Sequence, residues 1–593
     1  MINPIVREES DPESIPYGIS LLAAIALEKG HLVQLYDENA WRKGPEVMEG
    51  VIAADDWDVI AIGGLTTTYG SIKATLKTCR RVCPKAFIIA GGGFLTSMPK
   101  EILTWLPEID LGIMGEAFVT WPEVLKQIDN KNLDFSKTLG VCFRDKNGKV
   151  VITPVRPNIH NLDILPYPAW DLLPLEIYFK NSSYLYSEAG YLSKRRIDIM
   201  GSLGCGLICK FCWHLGTTGD MVVNKDANGD NDVQFTYGRN IRYHSPEYIV
   251  KMVKTLVERY QVDFVGFVDE NLMTMDVASG RSWLKDLCAL WIKEGLQPTS
   301  RRDGLPDNQN KGGVFWAGTS HASLSNKEIL EIMYKAGCSQ LVYGIESFDP
   351  VILKNLGKGV NQKHNLTAPK ICMETGIIPI PNIIIGFPLE TFQSVRTTIE
   401  SLIQLGIHCK PHFATPYPGS EWYYSYKDSI LEQYDGDLEK FILDLGDASK
   451  ISAVISHNFS PMQLLGLQQI VMQRDLRLLD LAEKHWGKAD AMVNPLAKPK
   501  ESFNIVKDHG VNDNFSEHAK NTREPIEQLV RKYQIKDKRI LSIAPAVGFE
   551  EYWFWKNGNS LTFVDLDDSK VIEHYLKILP QNCGGGAADL LHR

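Results

Sequence analysis

The chain has no run approaching the roughly 18 apolar residues that a membrane span requires; the nearest, Gly376 to Pro388, is short and broken by prolines. It also lacks a surplus of positive charge. Its 63 lysines and arginines stand against 72 aspartates and glutamates, a net charge of −9, which gives no general attraction to phosphate backbones or anionic membranes. No integral membrane span and no nucleic-acid partner are therefore expected. The opening residues, Met1 to Ser10, lack the charged and apolar blocks of a signal peptide. Most of the eleven cysteines (Cys79, Cys83, Cys142, Cys288, Cys338, Cys372, Cys409 and Cys583 among them) are scattered without a disulfide framework. That is the usage of a reducing cytoplasm, and a cytoplasmic location is expected.

What the chain does have is concentrated in one loop, Gly201-Ser-Leu-Gly-Cys205-Gly-Leu-Ile-Cys209-Lys-Phe-Cys212-Trp. Cys-x3-Cys-x2-Cys straight after a hydrophobic strand supplies three thiolates to one small volume and no obvious fourth. Three thiolates suit a cubane iron-sulfur cluster with one iron left open to a substrate or cofactor. Cys205, Cys209 and Cys212 with His214 also complete a zinc tetrahedron on paper, but zinc ligands usually come in two separated pairs, and His214 lies only two residues beyond Cys212. Simple buried thiols are the remaining alternative.

At 593 residues the chain is too long for one hydrophobic core, since single cores stop growing at roughly 250 to 300 residues. From Ile19 to Leu173 helical stretches alternate with short apolar runs ending in glycine, notably Asp58 to Gly64 and Ala86 to Gly93. Such runs read as buried strands of a parallel sheet, which binds ligands beyond the carboxyl ends of its strands. A proline- and asparagine-rich linker, Pro154 to Pro174, follows. Strands are then expected at Arg196–Gly201, Asp263–Asp269, Val314–Thr319, Ser339–Ile345, Ile378–Ile385 and Cys409–Thr415, with helices at Pro246–Tyr260, Asn326–Ala336, Val351–Leu356 and Thr391–Leu405. Polar Thr217 to Arg242, with its Asn224–Asp232 run, reads as a long loop. From Pro461 to Trp486, Leu464, Leu467, Val471 and Leu478 recur at near-helical intervals and predict an amphipathic helix.

The cysteine loop, with Phe211 before its last cysteine, closely resembles that of the radical SAM enzymes, whose open iron is chelated by S-adenosylmethionine. The resemblance continues along the strand ends. Val268-Asp269-Glu270-Asn271 resembles the acidic turn near the S-adenosylmethionine amino group, although both acids can equally cap the following segment. Gly344-Ile-Glu346-Ser347 is similar to the family's Gly-x-Glu-Ser, which lies along the cofactor. Gly386-Phe-Pro388-Leu-Glu390-Thr391 and Thr415-Pro-Tyr-Pro-Gly419-Ser420 match two further motifs, with Leu389 in place of a glycine. Strand three carries Ser320-His321-Ala322 where related sequences often have arginine; an imidazole there titrates near neutrality if solvated, or simply fills a polar position in the barrel.

The first third resembles the cobalamin-binding domain fused in front of radical SAM domains, on Pro16 to Ser20, Gly30 to Asp37, Gly63 to Thr68, Gly91-Gly92-Gly93 and Asp110 to Glu116. This implies cobalamin contacts at Thr66, Thr68, Gly91, Gly92, Gly93, Gly115 and Glu116, though glycine pairs at strand ends are common in any flavodoxin-like domain. The Asp-x-His-x-x-Gly motif that brings a histidine to cobalt is absent, so no such ligand is expected. The usual Gly-Glu-Gly-Glu turn survives as Gly115-Glu116-Ala117-Phe118. His31 is expected at the surface.

The fold class expected is α/β: a Rossmann-like, flavodoxin-like cobalamin-binding domain (1–153), a linker (154–190), a partial (β/α)6 radical SAM barrel (191–425), a helical C-terminal region (426–522) and a partial methyltransferase-like Rossmann segment (523–593). That last segment rests on strands at Arg539 and Ser560, with Ala544 and Ala546 where its turn usually has glycines. The resemblance implies a [4Fe-4S] cluster on Cys205, Cys209 and Cys212, S-adenosylmethionine near Phe211, Asp269, Glu270, Gly344, Glu346 and Ser347, and cobalamin on the first domain. It implies an electron donor such as flavodoxin or ferredoxin and a small-molecule substrate. The activity it implies first is methylation of an unactivated carbon. Oxidative cyclisation or rearrangement without methyl transfer, or a non-catalytic corrinoid-binding role, are the alternatives.

Overall fold

The computed structural model describes residues 1–8, 10–182, 193–207, 209–213, 219–226, 229–239, 241–280, 282–299 and 312–486, and three strands near the end of the chain. His214, and the turn containing Ala544 and Ala546, lie outside the described residues. Two compact units result: residues 1–384 with 412–455, and residues 385–411 with 456–593.

The first unit opens with a seven-stranded sheet: β1 (Ile2–Asn3), β2 (Tyr36–Asp37), β3 (Val59–Gly63), β4 (Phe87–Gly91), β5 (Leu111–Ile113), β6 (Val141–Arg144) and β7 (Val150–Ile152), in spatial order β2-β1-β3-β4-β5-β6-β7. The strands up to β5 run parallel, and β6 and β7 add antiparallel. Continuous apolar strands allow both faces to be covered. Ala61, Ile89, Leu111 and Ile113 pack under the helices Tyr17–Glu28 and Thr120–Asp129. Ile60, Ile62, Ile88 and Ala90 face a second core that also takes Tyr423, Ile430, Tyr434, Phe441, Ile442 and Leu445. Those residues come from three short helices, Glu421–Ser425, Lys427–Gln433 and Leu438–Asp444, and from the segment just after them.

A second sheet follows in the same unit. Its strands are β8 (Arg196–Ile199), β13 (Phe264–Phe267), β14 (Phe315–Ser320), β15 (Cys338–Glu346), β16 (Ile378–Ile385) and β17 (His412–Phe413), in the order β17-β16-β15-β14-β13-β8, with β8 through β16 parallel. This is the half-barrel expected. Strand β17 is shorter than its predicted Cys409–Thr415, since Pro411 and Pro416 flank it and cannot donate to a ladder.

The expected loop at 217–242 is instead a β-hairpin of β10 (Gly219–Lys225) and β11 (Asn231–Arg239), set between the short strands β9 (Ser202–Leu203) and β12 (Arg242–Tyr243), which pair with each other. Met221 pairs with Phe235 and Val223 with Val233, and this apolar face packs on the second core of the first sheet. The polar tip hid that alternation. The tip is ion-paired, Lys149 to Asp230 at 2.5 Å and Lys100 to Asp226, and Asn231 Nδ2 donates to the Ile152 carbonyl at 2.7 Å.

In the second unit the predicted single helix 461–486 is two, Pro461–Gln473 and Leu476–Trp486, parted at Arg474 in the left-handed region (φ 53°). The second helix pairs Asp480 with Arg396 of the helix Phe392–Leu405 at 2.6 Å. Strands β18 (Arg539–Ile543), β19 (Ser560–Val564) and β20 (Asp589–Leu590) form a parallel sheet.

Candidate active site

The cysteine loop leaves β8 under tight control. Gly201 N donates to both oxygens of Asp269 at 3.0 and 3.1 Å, and Ser202 Oγ donates to Asp269 Oδ1 at 2.5 Å. Asp269 is 1 % exposed, and burial raises its carboxyl to about 6 against those hydrogen bonds. Its role in the fold is thus to hold the start of the loop, while Asn271 caps the next helix through Met273 N. Further along, Lys210 N donates to the Leu356 carbonyl and Trp422 N to the Lys210 carbonyl, both at 3.2 Å. Phe211 packs on Trp422 with ring centroids 5.8 Å apart.

Cys205 and Cys209 are buried and Cys212 is partly buried, and none of the three is in a disulfide. Burial first, then Glu270, Cys209 and Cys205, push the Cys212 thiol well above its ordinary range, with Lys358 acting the other way. Thiols close enough to resist one another's ionisation need a strong local positive charge to become thiolates, which a bound metal centre supplies. Three soft thiol donors on one loop are the donor set an iron-sulfur cluster takes, although among the described residues no three cysteine, histidine or carboxylate side chains are gathered closely enough to hold a metal ion. Glu270 and Val268, which follow β13, keep accessible surface. Desolvation and the Asp269 carboxylate raise the Glu270 carboxyl to about 6.

At the end of β15 the register with β16 shifts between Gly344 and Glu346, and Glu346 takes φ 62°. A left-handed non-glycine residue costs about 1–3 kcal/mol and persists only when its surroundings hold it. The holding group is Lys358, whose Nζ donates to Glu346 Oε1 at 2.6 Å and to the Gly344 carbonyl; both side chains are 7 % exposed. Ser347 is buried, its Oγ accepting from Asp349 N at 3.1 Å, and Asn365 Nδ2 donates to the Ile345 and Ser347 carbonyls at 2.9 Å. His321 is buried too, between Ser323 Oγ at 2.8 Å on Nδ1 and the Lys358 carbonyl at 3.2 Å on Nε2. Burial and the Lys358 charge lower it to about 4, so it is a neutral structural imidazole and does not titrate near neutrality.

On the first sheet, Gly91 ends β4, Gly92 turns left-handed (φ 90°), and Gly93 starts a short helix. A Cβ on Gly93 would lie 2.8 Å from the Trp213 indole, so only glycine lets that ring seat there; Trp213 Nε1 donates to Ser97 Oγ at 3.0 Å. Trp213 directly follows Cys212. The glycine turn and the cysteine loop are therefore in contact. Thr66 is buried, and Thr68 Oγ1 closes its own turn, bonded to Leu65 N and O at 3.0 and 2.8 Å. Gly115 N donates to Thr96 Oγ1, while Glu116 forms a buried bidentate pair with Arg242. Lys358, Trp213 and Arg242 carry much of this geometry and were not singled out from the sequence. The one available signal was the Gly357-Lys358-Gly359 turn.

The Radical SAM superfamily profile matches residues 199–402, and the B12 binding domain profile matches residues 4–125. The chain is a cobalamin-binding radical SAM enzyme. This enzyme's cofactors are a [4Fe-4S] cluster, S-adenosylmethionine and cobalamin. It is 27 % identical to an uncharacterized methyltransferase of Pyrococcus horikoshii, over 70 % of this chain and 79 % of that one. It is 24 % identical to the cytidylyl-2-hydroxyethylphosphonate methyltransferase of Streptomyces wedmorensis, over 71 % and 80 %, and 23 % identical to the anaerobic magnesium-protoporphyrin IX monomethyl ester cyclase of Rubrivivax gelatinosus, over 65 % and 61 %. In fold the radical SAM enzyme is similar to the radical S-adenosylmethionine methyltransferase TsrM of Kitasatospora setae, with a TM-score of 0.54 and 16 % identity over 73 % of this chain and 76 % of that one. No helix among the described residues is long and apolar enough to cross a membrane.

Proposed function

We propose that this enzyme is a cobalamin-dependent radical SAM methyltransferase acting on an unactivated carbon of a small-molecule or natural-product intermediate. The observation that carries the reading is the seat of Trp213, one residue from Cys212, on Gly93 and Ser97 of the cobalamin-domain turn, because carbon methylation needs the radical source and the methyl carrier to serve one substrate. When bound, the cluster and S-adenosylmethionine supply a 5′-deoxyadenosyl radical that removes a hydrogen atom, and cobalamin supplies the methyl group.

The chain's own part is to bind, orient and exclude water. Cys205, Cys209 and Cys212 would hold three irons, with Phe211 braced on Trp422 to keep the loop closed. Glu346 and Glu270 would offer carboxylates to the hydroxyls and ammonium of S-adenosylmethionine along Gly344. Gly91, Gly92 and Gly93 would admit the cobalamin at the strand ends, with Thr66 and Gly115 lining it. Asp269, Ser347, Thr68 and Glu116 act by fixing the turns that present these groups. A flavodoxin- or ferredoxin-type protein in a reducing cytoplasm would deliver the electron.

The test is anaerobic turnover of the reconstituted enzyme with hydroxocobalamin, S-adenosylmethionine, a low-potential reductant and a panel of indole, hydroxyalkylphosphonate and porphyrin ester substrates. Expected is a product one methyl group heavier, formed together with S-adenosylhomocysteine. The second reading, oxidative cyclisation or rearrangement, is favoured by the similarity to the protoporphyrin ester cyclase. It requires 5′-deoxyadenosine without S-adenosylhomocysteine and no gain of a methyl group, and that outcome would replace the first.

A further inference from the structure

We infer that Lys358 is a positioning residue of the S-adenosylmethionine site, and that the Gly344-x-Glu346 motif and Lys358 are one unit. The inference rests on the proposed reading of Glu346 as a cofactor contact. Glu346 sits in a bulge with φ 62° and its side chain is 7 % exposed, and a carboxylate so placed needs a paired charge. Lys358 Nζ meets Glu346 Oε1 at 2.6 Å and also takes the Gly344 carbonyl. A Cβ at position 344 would collide with both Lys358 Nζ and Glu346 Oε1. Glycine at 344 thus leaves the room in which the ammonium lies against the strand.

The lysine is itself fixed. It stands between Gly357 (φ 69°) and Gly359 (φ 74°), its carbonyl is bonded to His321 Nε2 at 3.2 Å, and the Leu356 carbonyl two residues earlier accepts from Lys210 N of the cysteine loop. The Lys358 side chain thus reaches the strand end from a turn whose backbone, at Leu356, meets the loop that carries the three cysteines. A flexible four-carbon stem gains direction only by such anchoring. With Oε1 committed to Lys358, the carboxylate is oriented toward a ligand that brings its own donors, a ribose diol or an ammonium.

The test uses the full-length protein with its cluster reconstituted anaerobically. Iron content, the Kd for S-adenosylmethionine by equilibrium dialysis, and the change that S-adenosylmethionine causes in the electron paramagnetic resonance spectrum of the reduced cluster are measured for wild type, Lys358→Met, Glu346→Gln and the double variant. Loss of a charge-assisted contact predicts a roughly tenfold or larger rise in Kd. Expected is that rise in both single variants, with iron retained, a diminished spectral response in Lys358→Met, and a double variant no weaker than the worse single one. The double variant also guards against misfolding, because it leaves no unpaired buried charge. If Lys358→Met differs from wild type only in melting temperature, while Glu346→Gln and the double variant both lose affinity, the lysine is merely structural and the inference falls while the reading of Glu346 stands. If Glu346→Gln binds S-adenosylmethionine like wild type, the reading falls and the inference with it.

Discussion

Burial first, then the carboxylate of Glu270 and the thiols of Cys209 and Cys205, hinder ionisation of Cys212, so the three cysteines proposed to hold the cluster are tested together. Replacing all three with alanine should reduce iron content to background and abolish S-adenosylmethionine cleavage; unchanged cleavage would remove the enzymatic reading altogether. At the same scale His321 makes a prediction about pH. Its folded value of about 4 lies below the ordinary 6.5, so the unfolded chain binds the extra proton between them and stability falls as pH drops from 6.5 toward 4. The gap corresponds to about 3 kcal/mol. Stability curves measured by chemical denaturation should therefore lose about that much less over this range in His321→Asn than in wild type. Lys358, His364 and Ser323 surround the ring or act on it electrostatically, and none of them supplies a counter-anion.

Among elements, the strand Ile378–Ile385 and the helix Pro246–Tyr260 have the bounds their residues predict. The strand has a regular in-out burial pattern, and the helix carries Ser245 as cap, Pro246 at its first position and left-handed Gln261 at its end. The motif order at the strand ends was legible for the same local reason. The hairpin was not, because its Asn- and Asp-rich tip dominates the composition while its packing face has two residues per strand. Arg474 breaks a helix without glycine or proline, so no signal marked the break. Nor does any local pattern announce Arg242, which reaches Glu116 across more than a hundred residues. That pair is buried on both sides, and Glu116→Gln alone should cost about 3–5 kcal/mol, with much of it restored in Glu116→Gln/Arg242→Met. Equilibrium urea unfolding of the two variants checks this; equal losses would mean the charge pairing contributes little.

For the whole molecule, the cobalamin-binding sheet does not close its own core. Tyr423, Tyr434, Phe441 and Leu445 cover a face of a sheet that ends near residue 152. Reading along the chain separates the two, whereas burial joins them. A fragment of residues 1–153 should consequently bind the dye ANS strongly and lack a near-ultraviolet circular dichroism signal from fixed aromatics, unlike the full chain. A fragment with native-like spectra would show that the later helices are dispensable for that core.

The hairpin β10–β11 has a consequence for solubility as well as for shape. Strand β7 lies at the margin of the seven-stranded sheet, and a free margin offers unpaired backbone groups to any other strand, including one from a second molecule. With Asn231 on the Ile152 carbonyl and Asp230 on Lys149, the hairpin stands where such a strand would add. The same insertion that follows the three cysteines thus blocks that margin, β7, to a strand of a neighbouring copy.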